Sequence, residues 1–352
     1  GERWSSLTPR QFSWLYEISL THHCPLLIEA DGARQRPLKA PADHEPVIPP
    51  FVATVLVVAG ISGIWQPLDE THVHRPHLFA RLSGLEIGTP ITPEACARVL
   101  SHPEGGLKGI PPQARRLLLL NQADTEQQQA IAARLAGMLQ NTYPTIVIAS
   151  LQNGLVFSVH ERIAGIVLAA GEGRRFGQIK QLLEWRGKPM VRHVAEVALS
   201  AGLSPVIVVT GAVSEQVAVA LKELPVVIVH NPAWKEGQST SVRAGLAALP
   251  SDCGAAIFLL ADQPLVTPPL LRALVETHQQ TQAPTLAPLV GGRHTTPVLF
   301  DRVTFPALMR IQGDVGGRAI FGQFPPRYLP WHDEGLLIDL DTPEEWHRLQ
   351  DE

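Results

Sequence analysis

Short apolar runs rich in β-branched residues alternate with segments of helical periodicity along the whole sequence. Parallel strands of one sheet are joined by crossovers, usually helices, so this alternation predicts βαβ units and mostly parallel sheets. The first half has predicted strands at 25–30, 54–59, 116–121 and 145–149, and helices at 9–21, 93–100 and 125–139. The second half has predicted strands at 163–169, 205–210, 226–229, 256–260 and 285–288, and helices at 189–201, 214–221, 239–248 and 268–280.

The length of 352 residues favours two domains. A new unit of buried strand and glycine-rich loop begins at Ile163, so the boundary is predicted just before it. The sequence therefore predicts one α/β domain over residues 1–158 and a second over residues 159–352.

Composition limits the partners that the chain can have. The net charge of -4 argues against nucleic acid as a main partner, because a face that binds phosphate backbones needs an excess of Lys and Arg. No apolar run reaches the roughly 18–20 residues of a membrane span, so no membrane partner is expected. The three cysteines are far apart and form no CxxC pair. This pattern favours free thiols and a cytoplasmic protein.

A strand in the second half runs into a glycine-rich loop with the sequence L-A-A-G-E-G-R-R-F-G-Q-I-K over residues 168–180. Glycines at 171, 173 and 177 allow backbone N–H groups to approach an anion, and Arg174 and Lys180 add positive charge. The spacing G-x-G-x-x-x-G differs from the dinucleotide fingerprint, and no G-x-x-x-x-G-K-[ST] loop occurs in the chain. The alternative is a tight strand-to-helix turn with surface arginines.

Carboxylates lie at two places that suit a divalent cation. Asp262 follows the apolar strand 256–260, at the end of the strand where open α/β sheets bind ligands. Mg2+ prefers carboxylate oxygens, although a turn aspartate bonded to its own backbone is the alternative. Asp339 and Asp341 flank one leucine in an extended segment and so share a face. A helix cap is the alternative for this pair.

Gln238, Ser239 and Ser241 lie where Gly237 precedes a predicted helix. Exposed N–H groups at such an end bind anions, while serine is also a preferred N-cap residue, and the two roles can coexist. Thr210 ends the strand 205–210, where a wall of a base pocket is often found.

The loop at 168–180 resembles the signature of the MobA-like nucleotidyltransferases, close to the molybdenum cofactor cytidylyltransferases. Four further segments resemble motifs of that family in the same order: N-P-A-W-K-E-G-Q-S-T-S at 231–241, L-A-D-Q-P at 260–264, G-D-V-G-G-R at 313–318 and D-L-D-T-P-E at 339–344. The resemblance implies a Rossmann-like domain with a mostly parallel sheet. One departure is R-H-T-T-P at 293–297, where relatives often carry Gly-His-Pro or Gly-Asn-Pro.

The resemblance also implies roles for individual residues. Arg174, Lys180 and Asp262 are the expected catalytic residues, and Asp262 with Asp339 or Asp341 is expected to hold Mg2+. The residues expected to bind the nucleotide are Leu168, Ala169, Ala170, Gly171, Gly173, Arg174, Gly177, Lys180 and Thr210. The residues expected to bind the acceptor are Gln238, Ser239, Ser241 and Asp314.

The first half resembles YqeC-like accessory proteins of selenium-dependent molybdenum hydroxylases, through E-A-D-G-A-R at 29–34, K-A-P-A-D-H-E at 39–45, Val73-His-Arg and Asn121-Gln-Ala-Asp. Those proteins resemble P-loop nucleotide binders that begin with a Walker-A strand, which this sequence lacks. The resemblance implies an incomplete P-loop-like domain whose Asn-x-x-Asp step reads a base, with Gln122 where such motifs usually carry Lys. Glu29, Asp31 and His44 offer a metal or cofactor site as the alternative.

Together the two resemblances predict transfer of a nucleotide from CTP to the phosphate of a molybdopterin-type cofactor, with release of pyrophosphate and with Mg2+ as cofactor. Two alternatives keep nucleotidyl transfer and change the substrates. They are GTP with the same pterin, or another NTP with a sugar or lactate phosphate as the acceptor. A third is a non-catalytic cofactor carrier that docks on an apo molybdenum hydroxylase.

Overall fold

The computed structural model describes residues 7–172, 179–338 and 346. It divides into two compact units, residues 1–160 and 161–352. Within the described residues, no helix is long and apolar enough to cross a membrane. The three cysteines are free thiols, with Cys24 exposed and the other two buried.

The first unit is built on three parallel strands. Its elements are α1 (Pro9–His22), β1 (Leu38–Lys39), β2 (Thr54–Gly60), β3 (Val73–His74), α2 (Pro76–Ser83), α3 (Pro93–Ser101), β4 (Arg115–Asn121), α4 (Glu126–Leu139) and β5 (Thr145–Ser150). Strand β4 pairs in parallel with β2 and β5, while β1 and β3 form a separate parallel pair. Helix α4 begins with a capping box between Thr125 and Gln128, as a Thr-x-x-Gln sequence predicts.

The predicted strand at 25–30 is wrong. These residues have no regular secondary structure, and Leu27 is 90% exposed. An apolar run forms a strand only when a neighbouring strand satisfies its backbone N–H and C=O groups. No strand among the described residues pairs with this segment.

The chain passes from the first unit to the second within β6 (Leu155–Ala169). The elements that follow are β7 (Glu184–Trp185), β8 (Lys188–Pro189), α5 (Met190–Ser200), β9 (Val206–Thr210), α6 (Ser214–Ala220), β10 (Val227–His230), α7 (Gln238–Ala247), β11 (Cys253–Leu260), α8 (Pro268–Thr281), β12 (Thr285–Val290), β13 (Arg293–His294), β14 (Val298–Asp301), α9 (Phe305–Leu308) and β15 (Arg327–Pro330).

The sheet of the second unit runs in the order β13-β12-β14-β11-β6-β9-β10, with β15 also paired to β12. Strand β6 is parallel to both β9 and β11, and β10 is parallel to β9. Strand β14 is antiparallel to its neighbours β11 and β12. The predicted α/β fold with a mostly parallel sheet is therefore confirmed, with an antiparallel strand inserted on one side.

Two buried layers cover the faces of this sheet. One contains Val191, Val194, Leu270 and Leu274 from α5 and α8, and the other contains Val242 and Leu246 from α7. A Cβ atom on Gly245 of α7 would lie 2.6 Å from Cγ2 of Ile166 on β6. The glycine therefore lets α7 lie close against the sheet.

Two helix glycines give opposite predictions for stability. Gly245→Ala should destabilise the second unit by about 1–3 kcal/mol, because the added methyl overpacks the contact with Ile166. Gly137→Ala, in α4 where a Cβ meets nothing within 4 Å, should stabilise the first unit by about 0.5–1 kcal/mol through helix propensity. Thermal unfolding of both variants shows whether each substitution raises or lowers stability. Equal shifts in the same direction would contradict the packing argument.

Candidate active site

A cavity of about 810 Å3 opens where β6 and β11 end. Both strands are parallel and in register, with Leu168 opposite Leu260, so their carboxyl ends meet at one edge of the sheet. Its lining residues in the described part of the chain are Leu168, Ala169, Gly171, Glu172, Lys180, Gln181, Trp234, Lys235, Glu236, Gly237, Gln238, Ala261, Asp262 and Asp314.

The first wall consists of the end of β6 and the start and end of the glycine-rich loop. The buried amide of Gln181 donates from Nε2 to the carbonyl oxygens of Ala169, at 3.3 Å, and Gly171, at 2.6 Å. These bonds fix the beginning of the loop against the residue that follows Lys180. Lys180, which is half-buried, is thereby placed on the cavity next to the end of β6.

The second wall is the turn after β11, which carries Asp262. The N–H of Ala261 donates to the carbonyl of Leu168 at 3.1 Å, so the turn extends the pairing of the two strands. His193 of α5 lies 3.0 Å through Nε2 from the carbonyl of Pro264. Burial lowers the pKa of His193, which favours the neutral ring, and Nε2 must carry the proton to donate to a carbonyl. Thr296 donates to Oε1 of Gln263 at 2.5 Å from the other side.

The third wall is the segment from Trp234 to Gln238, which Asn231 holds in place. The buried Asn231 amide donates from Nδ2 to Oγ1 of Thr240, at 2.8 Å, and to Oγ of Ser241, at 3.0 Å. Its Oδ1 accepts from the N–H of Ala233 at 3.0 Å. Both amide hydrogens and the carbonyl are thus used to join the end of β10 to the first turn of α7.

The N-cap of α7 is Gly237, whereas a serine was the alternative from sequence. Gly237 has φ 112°, which favours glycine, and a Cβ there would lie 2.5 Å from the carbonyl of Gly313. The Gly313–Asp314 backbone packs directly on the helix start. The N–H of Gln238 donates to Oδ1 of Asp314 at 3.2 Å, and that of Ser239 donates to the carbonyl of Gly313 at 3.3 Å. These first N–H groups already have partners within the protein.

The cavity brings together seven of the residues expected from sequence, although they lie up to 146 positions apart. They are Leu168, Ala169, Gly171, Lys180, Gln238, Asp262 and Asp314. Four others do not line it: Ala170, Thr210, Ser239 and Ser241, all of which are buried. Thr210 bonds through Oγ1 to Oγ of Ser214, at 2.7 Å, and to the carbonyl of Val229, at 3.3 Å. Gly173, Arg174, Gly177, Asp339 and Asp341 lie outside the described residues.

Seven lining residues were not predicted to contact a ligand: Glu172, Gln181, Trp234, Lys235, Glu236, Gly237 and Ala261. All seven lie within or directly beside the motif segments at 168–180, 231–241 and 260–264, so membership of those segments was the available signal. Lys235 places its ammonium 5.4 Å from the centre of the Trp234 ring, a cation–π contact at the cavity. Within the described residues, no group of three His, Cys, Asp or Glu side chains forms a metal site.

The first unit has a half-buried network of charged residues. Lys39 lies 2.7 Å from a carboxylate oxygen of both Asp31 and Glu45, and Arg75 binds Glu45 with two bonds of 2.6 and 3.0 Å. The hydrogen bond from Arg75, followed by the one from Lys39, lowers the pKa of Glu45 to about 2. Asp31 is thus engaged by Lys39, whereas Glu29 and His44 are exposed, and the three do not form a metal-binding group among the described residues.

The Asn121–Asp124 step ties together the ends of β2, β4 and β5. Asn121 Oδ1 accepts from the N–H of Leu151 at 3.0 Å, and Asp124 Oδ1 accepts from Oγ of Ser150 at 2.5 Å. Gln122 accepts through Oε1 from Oγ of Ser62 at 2.6 Å. The side chains of this step therefore fix one edge of the first sheet.

Comparison with known families assigns both halves. Residues 165–328 match the MobA-like NTP transferase domain, and residues 3–77 match the YqeC protein family. Both resemblances inferred from sequence motifs are confirmed.

Two relatives cover the two units separately. Nicotine blue oxidoreductase of Paenarthrobacter nicotinovorans is 32% identical over 197 residues, which are 53% of this chain and 96% of that protein. The uncharacterized protein YqeC of Escherichia coli K12 is 32% identical over 128 residues, 36% of this chain, and the match spans only half of the length of YqeC. The crystal structure of Rv0371c from Mycobacterium tuberculosis H37Rv covers 54% of this chain and 98% of its own, with 27% identity and a TM-score of 0.50.

The role of Asn231 can be tested against that of Ser241. Asn231→Ala removes three hydrogen bonds from a buried site and should lower the free energy of unfolding by about 2–4 kcal/mol. Ser241→Ala removes one acceptor and should cost about 1 kcal/mol. Urea unfolding compares the two variants. A larger loss for Ser241→Ala would contradict the structural role assigned to this pair.

The pKa of Glu45 predicts a pH dependence. Its carboxylate has a folded pKa of about 2, below the ordinary value of 4.5. The resulting stabilisation is present above about pH 4.5 and is lost as the pH falls towards 2. Glu45→Gln should therefore destabilise the protein by about 1–3 kcal/mol at pH 7, and by clearly less at pH 3. Urea unfolding at both pH values measures this, with the exposed Glu86→Gln as the control, and a pH-independent difference would contradict it.

Proposed function

Because the chain belongs to the MobA-like NTP transferase family, we propose that its second unit transfers a nucleotide from CTP to the phosphate of a molybdopterin-type cofactor, with release of pyrophosphate. The observation that carries this proposal is the cavity at the ends of β6 and β11. It joins the glycine-rich loop with Lys180, the carboxylate of Asp262, and the polar wall that contains Gln238 and Asp314.

The reaction requires positioning and charge stabilisation, and no protein nucleophile. An oxygen of the acceptor phosphate attacks the α-phosphorus, the bond from that phosphorus to the bridging oxygen of the β-phosphate breaks, and pyrophosphate leaves with that oxygen. Lys180 neutralises charge on the triphosphate and on the leaving pyrophosphate, together with Arg174 in the same loop. The backbone N–H groups of the glycine-rich loop bind phosphate oxygens.

The donor set of the second wall suits a hard divalent cation. Asp262 is a half-buried carboxylate at a strand end. The bond from the N–H of Ala261 to Leu168 precedes it, and His193 bonds the carbonyl of Pro264 in the turn that follows. Carboxylate oxygens are the protein ligands that Mg2+ prefers, and the ion supplies positive charge to the triphosphate. Asp262, with Asp339 or Asp341, is the proposed ligand set.

The choice of CTP and a pterin rests on the motifs. Five segments of the second unit resemble those of molybdenum cofactor cytidylyltransferases. Residues 3–77 of the first unit match the YqeC family, and the motifs of this unit resemble accessory proteins of molybdenum hydroxylases. The presence of both units in one chain supports a molybdopterin-type acceptor and an apo molybdenum hydroxylase as the eventual recipient.

A second candidate comes from the relative named nicotine blue oxidoreductase, which is matched over 96% of its length. Its name favours a redox reaction, which here requires a nicotinamide or flavin hydride donor. Oxidation of NADH or NADPH with nicotine blue as the electron acceptor, in the absence of any NTP, is the measurement that separates this candidate from nucleotidyl transfer.

The experiment that tests the proposal measures pyrophosphate release with Mg2+, purified molybdopterin cofactor and each of the four NTPs. We expect release with CTP and none with ATP, GTP or UTP. Release with GTP alone would assign the protein to guanylyl transfer. Absence of release with every NTP, combined with tight cofactor binding, would support a cofactor carrier and contradict the enzyme proposal.

Two variants test the residues. Asp262→Ala and Lys180→Ala should each lower kcat by about 10²–10³-fold, since each removes a charge that stabilises the transition state. Asp43→Ala, at an exposed aspartate of the first unit, is the control and should leave kcat unchanged. Full activity of Asp262→Ala would exclude this residue as a metal ligand.

A further inference from the structure

The segment R-H-T-T-P at 293–297, which departs from the pattern of relatives, lies beside the turn that carries Asp262. Strand β14 is antiparallel to β11, with its first residue, Val298, opposite Phe258. In an antiparallel pair the start of one strand lies next to the end of the other, so the residues that precede β14 lie where β11 ends. The two threonines of this segment are therefore close to a proposed metal ligand.

Thr296 bonds the residue that follows Asp262. Its Oγ1 donates to Oε1 of Gln263 at 2.5 Å, across 33 positions of the chain. The N–H of Gln263 donates to the carbonyl of Leu260 at 3.2 Å. Gln263 is thus held by both its side chain and its backbone, and these two bonds restrict the turn from which the Asp262 carboxylate projects.

Thr295 bonds a second segment of the same unit. Its side chain is buried, and its Oγ1 donates to the carbonyl of Leu336 at 3.2 Å. Its own N–H donates to the carbonyl of Pro288 on β12, also at 3.2 Å. Leu336 is buried and lies three residues before Asp339 in the sequence. Thr295 therefore attaches the segment that leads to Asp339 to the sheet.

The two segments that the threonines bond also pack on each other. A Cβ atom on Gly335 would lie 3.1 Å from Cδ1 of Leu265. Pro264, Leu265 and Leu336 are among the residues around a gap of only about 10 Å3. Such a gap is no larger than a single water molecule requires, so it marks a close contact between the segments and is too small for a ligand.

Adjacent threonines thus join the turn of Asp262 to the segment that precedes Asp339. We propose that Thr295 and Thr296 are positioning residues for the divalent cation, which hold the two carboxylate-bearing segments of the proposed ligand set at a fixed separation. Removing a group that orients the ligands of a metal typically lowers metal affinity about 10–100-fold. The inference rests on the proposed function for the role of these carboxylates as metal ligands.

Valine and serine substitutions separate the effect of the hydroxyl from that of side-chain shape. Thr295→Val and Thr296→Val keep the shape and remove the donor, so each should weaken the binding of Mn2+ about tenfold. Thr295→Ser and Thr296→Ser keep the donor and should bind Mn2+ within about twofold of the wild type.

Thr304→Val is the matched control. Thr304 is fully buried in the same unit, and its Oγ1 donates to the carbonyl of Asp301 at 2.6 Å. This variant loses a buried hydroxyl that bonds neither carboxylate-bearing segment. It should therefore be less stable than the wild type in urea, with unchanged affinity for Mn2+.

Titration of the full chain with Mn2+, followed by the electron paramagnetic resonance signal of the free ion, measures this affinity without nucleotide or turnover. Asp262→Ala is the reference for the site and should abolish the binding. Binding that persists in Asp262→Ala, or no binding to the wild type, overturns the proposal. Unchanged affinity in either valine variant also overturns it, because the two threonines then do not act together. Weak binding in the serine variants or in Thr304→Val overturns it as well, since the loss then follows packing or stability.

The titration and the activity assay separate this inference from the proposed reaction. If the valine variants weaken Mn2+ binding as expected but the wild type releases no pyrophosphate, the proposed reaction alone is contradicted. If the wild type releases pyrophosphate with CTP and the valine variants bind Mn2+ as tightly as the wild type, the positioning role of the threonines alone is contradicted.

Discussion

The parallel pairing of β6 with β11 is the interaction on which the candidate site depends. These strands lie about 90 residues apart in the chain, yet their register places Leu168 opposite Leu260. The pairing continues one step beyond β11, through the bond from the N–H of Ala261 to the carbonyl of Leu168. The glycine-rich loop and Asp262 therefore leave the sheet side by side, and a single backbone ladder fixes their separation. A shift of one residue in this register would turn every side chain of β11 to the opposite face of the sheet.

The remaining wall depends on close contacts between backbones. A Cβ on Gly211 would lie 2.6 Å from the carbonyl of Ala170, and one on Gly237 would meet the Gly313 backbone at 2.5 Å. Side chains have no room at these positions, so the polar groups at the start of α7 are held by main-chain packing and by the Asn231 amide. Such contacts vary little with side-chain rotamers. They position Gln238 more firmly than a surface loop would.

The sequence predicted the parts of the fold that have a strong local signal. The predicted strands at 54–59, 145–149 and 205–210 are apolar and β-branched, and their ends agree with the structure to within a residue or two. Asp262 was predicted at the ligand-binding edge because it follows a buried strand, and it lines the cavity there. The position of β14 between β11 and β12 depends on long-range pairing, which no local pattern encodes. The serines of α7 show the same limit, since a hydroxyl at a helix start can cap, bind a ligand or accept from Asn231. Only the packing tells these roles apart.

The charges of the cavity constrain how an anionic substrate can enter it. Among its described lining residues, Glu172, Glu236, Asp262 and Asp314 carry four negative charges, whereas Lys180 and Lys235 carry two positive ones. A triphosphate would be repelled by this lining, since like charges in a cleft of low dielectric interact strongly. Nucleotidyl transfer here therefore requires added positive charge, which the proposed function supplies through Mg2+ at Asp262 and Arg174 of the glycine-rich loop. Under the proposed function the nucleotide enters as its magnesium complex, because the bound cation offsets part of the charge that the four carboxylates of the lining oppose to a free triphosphate.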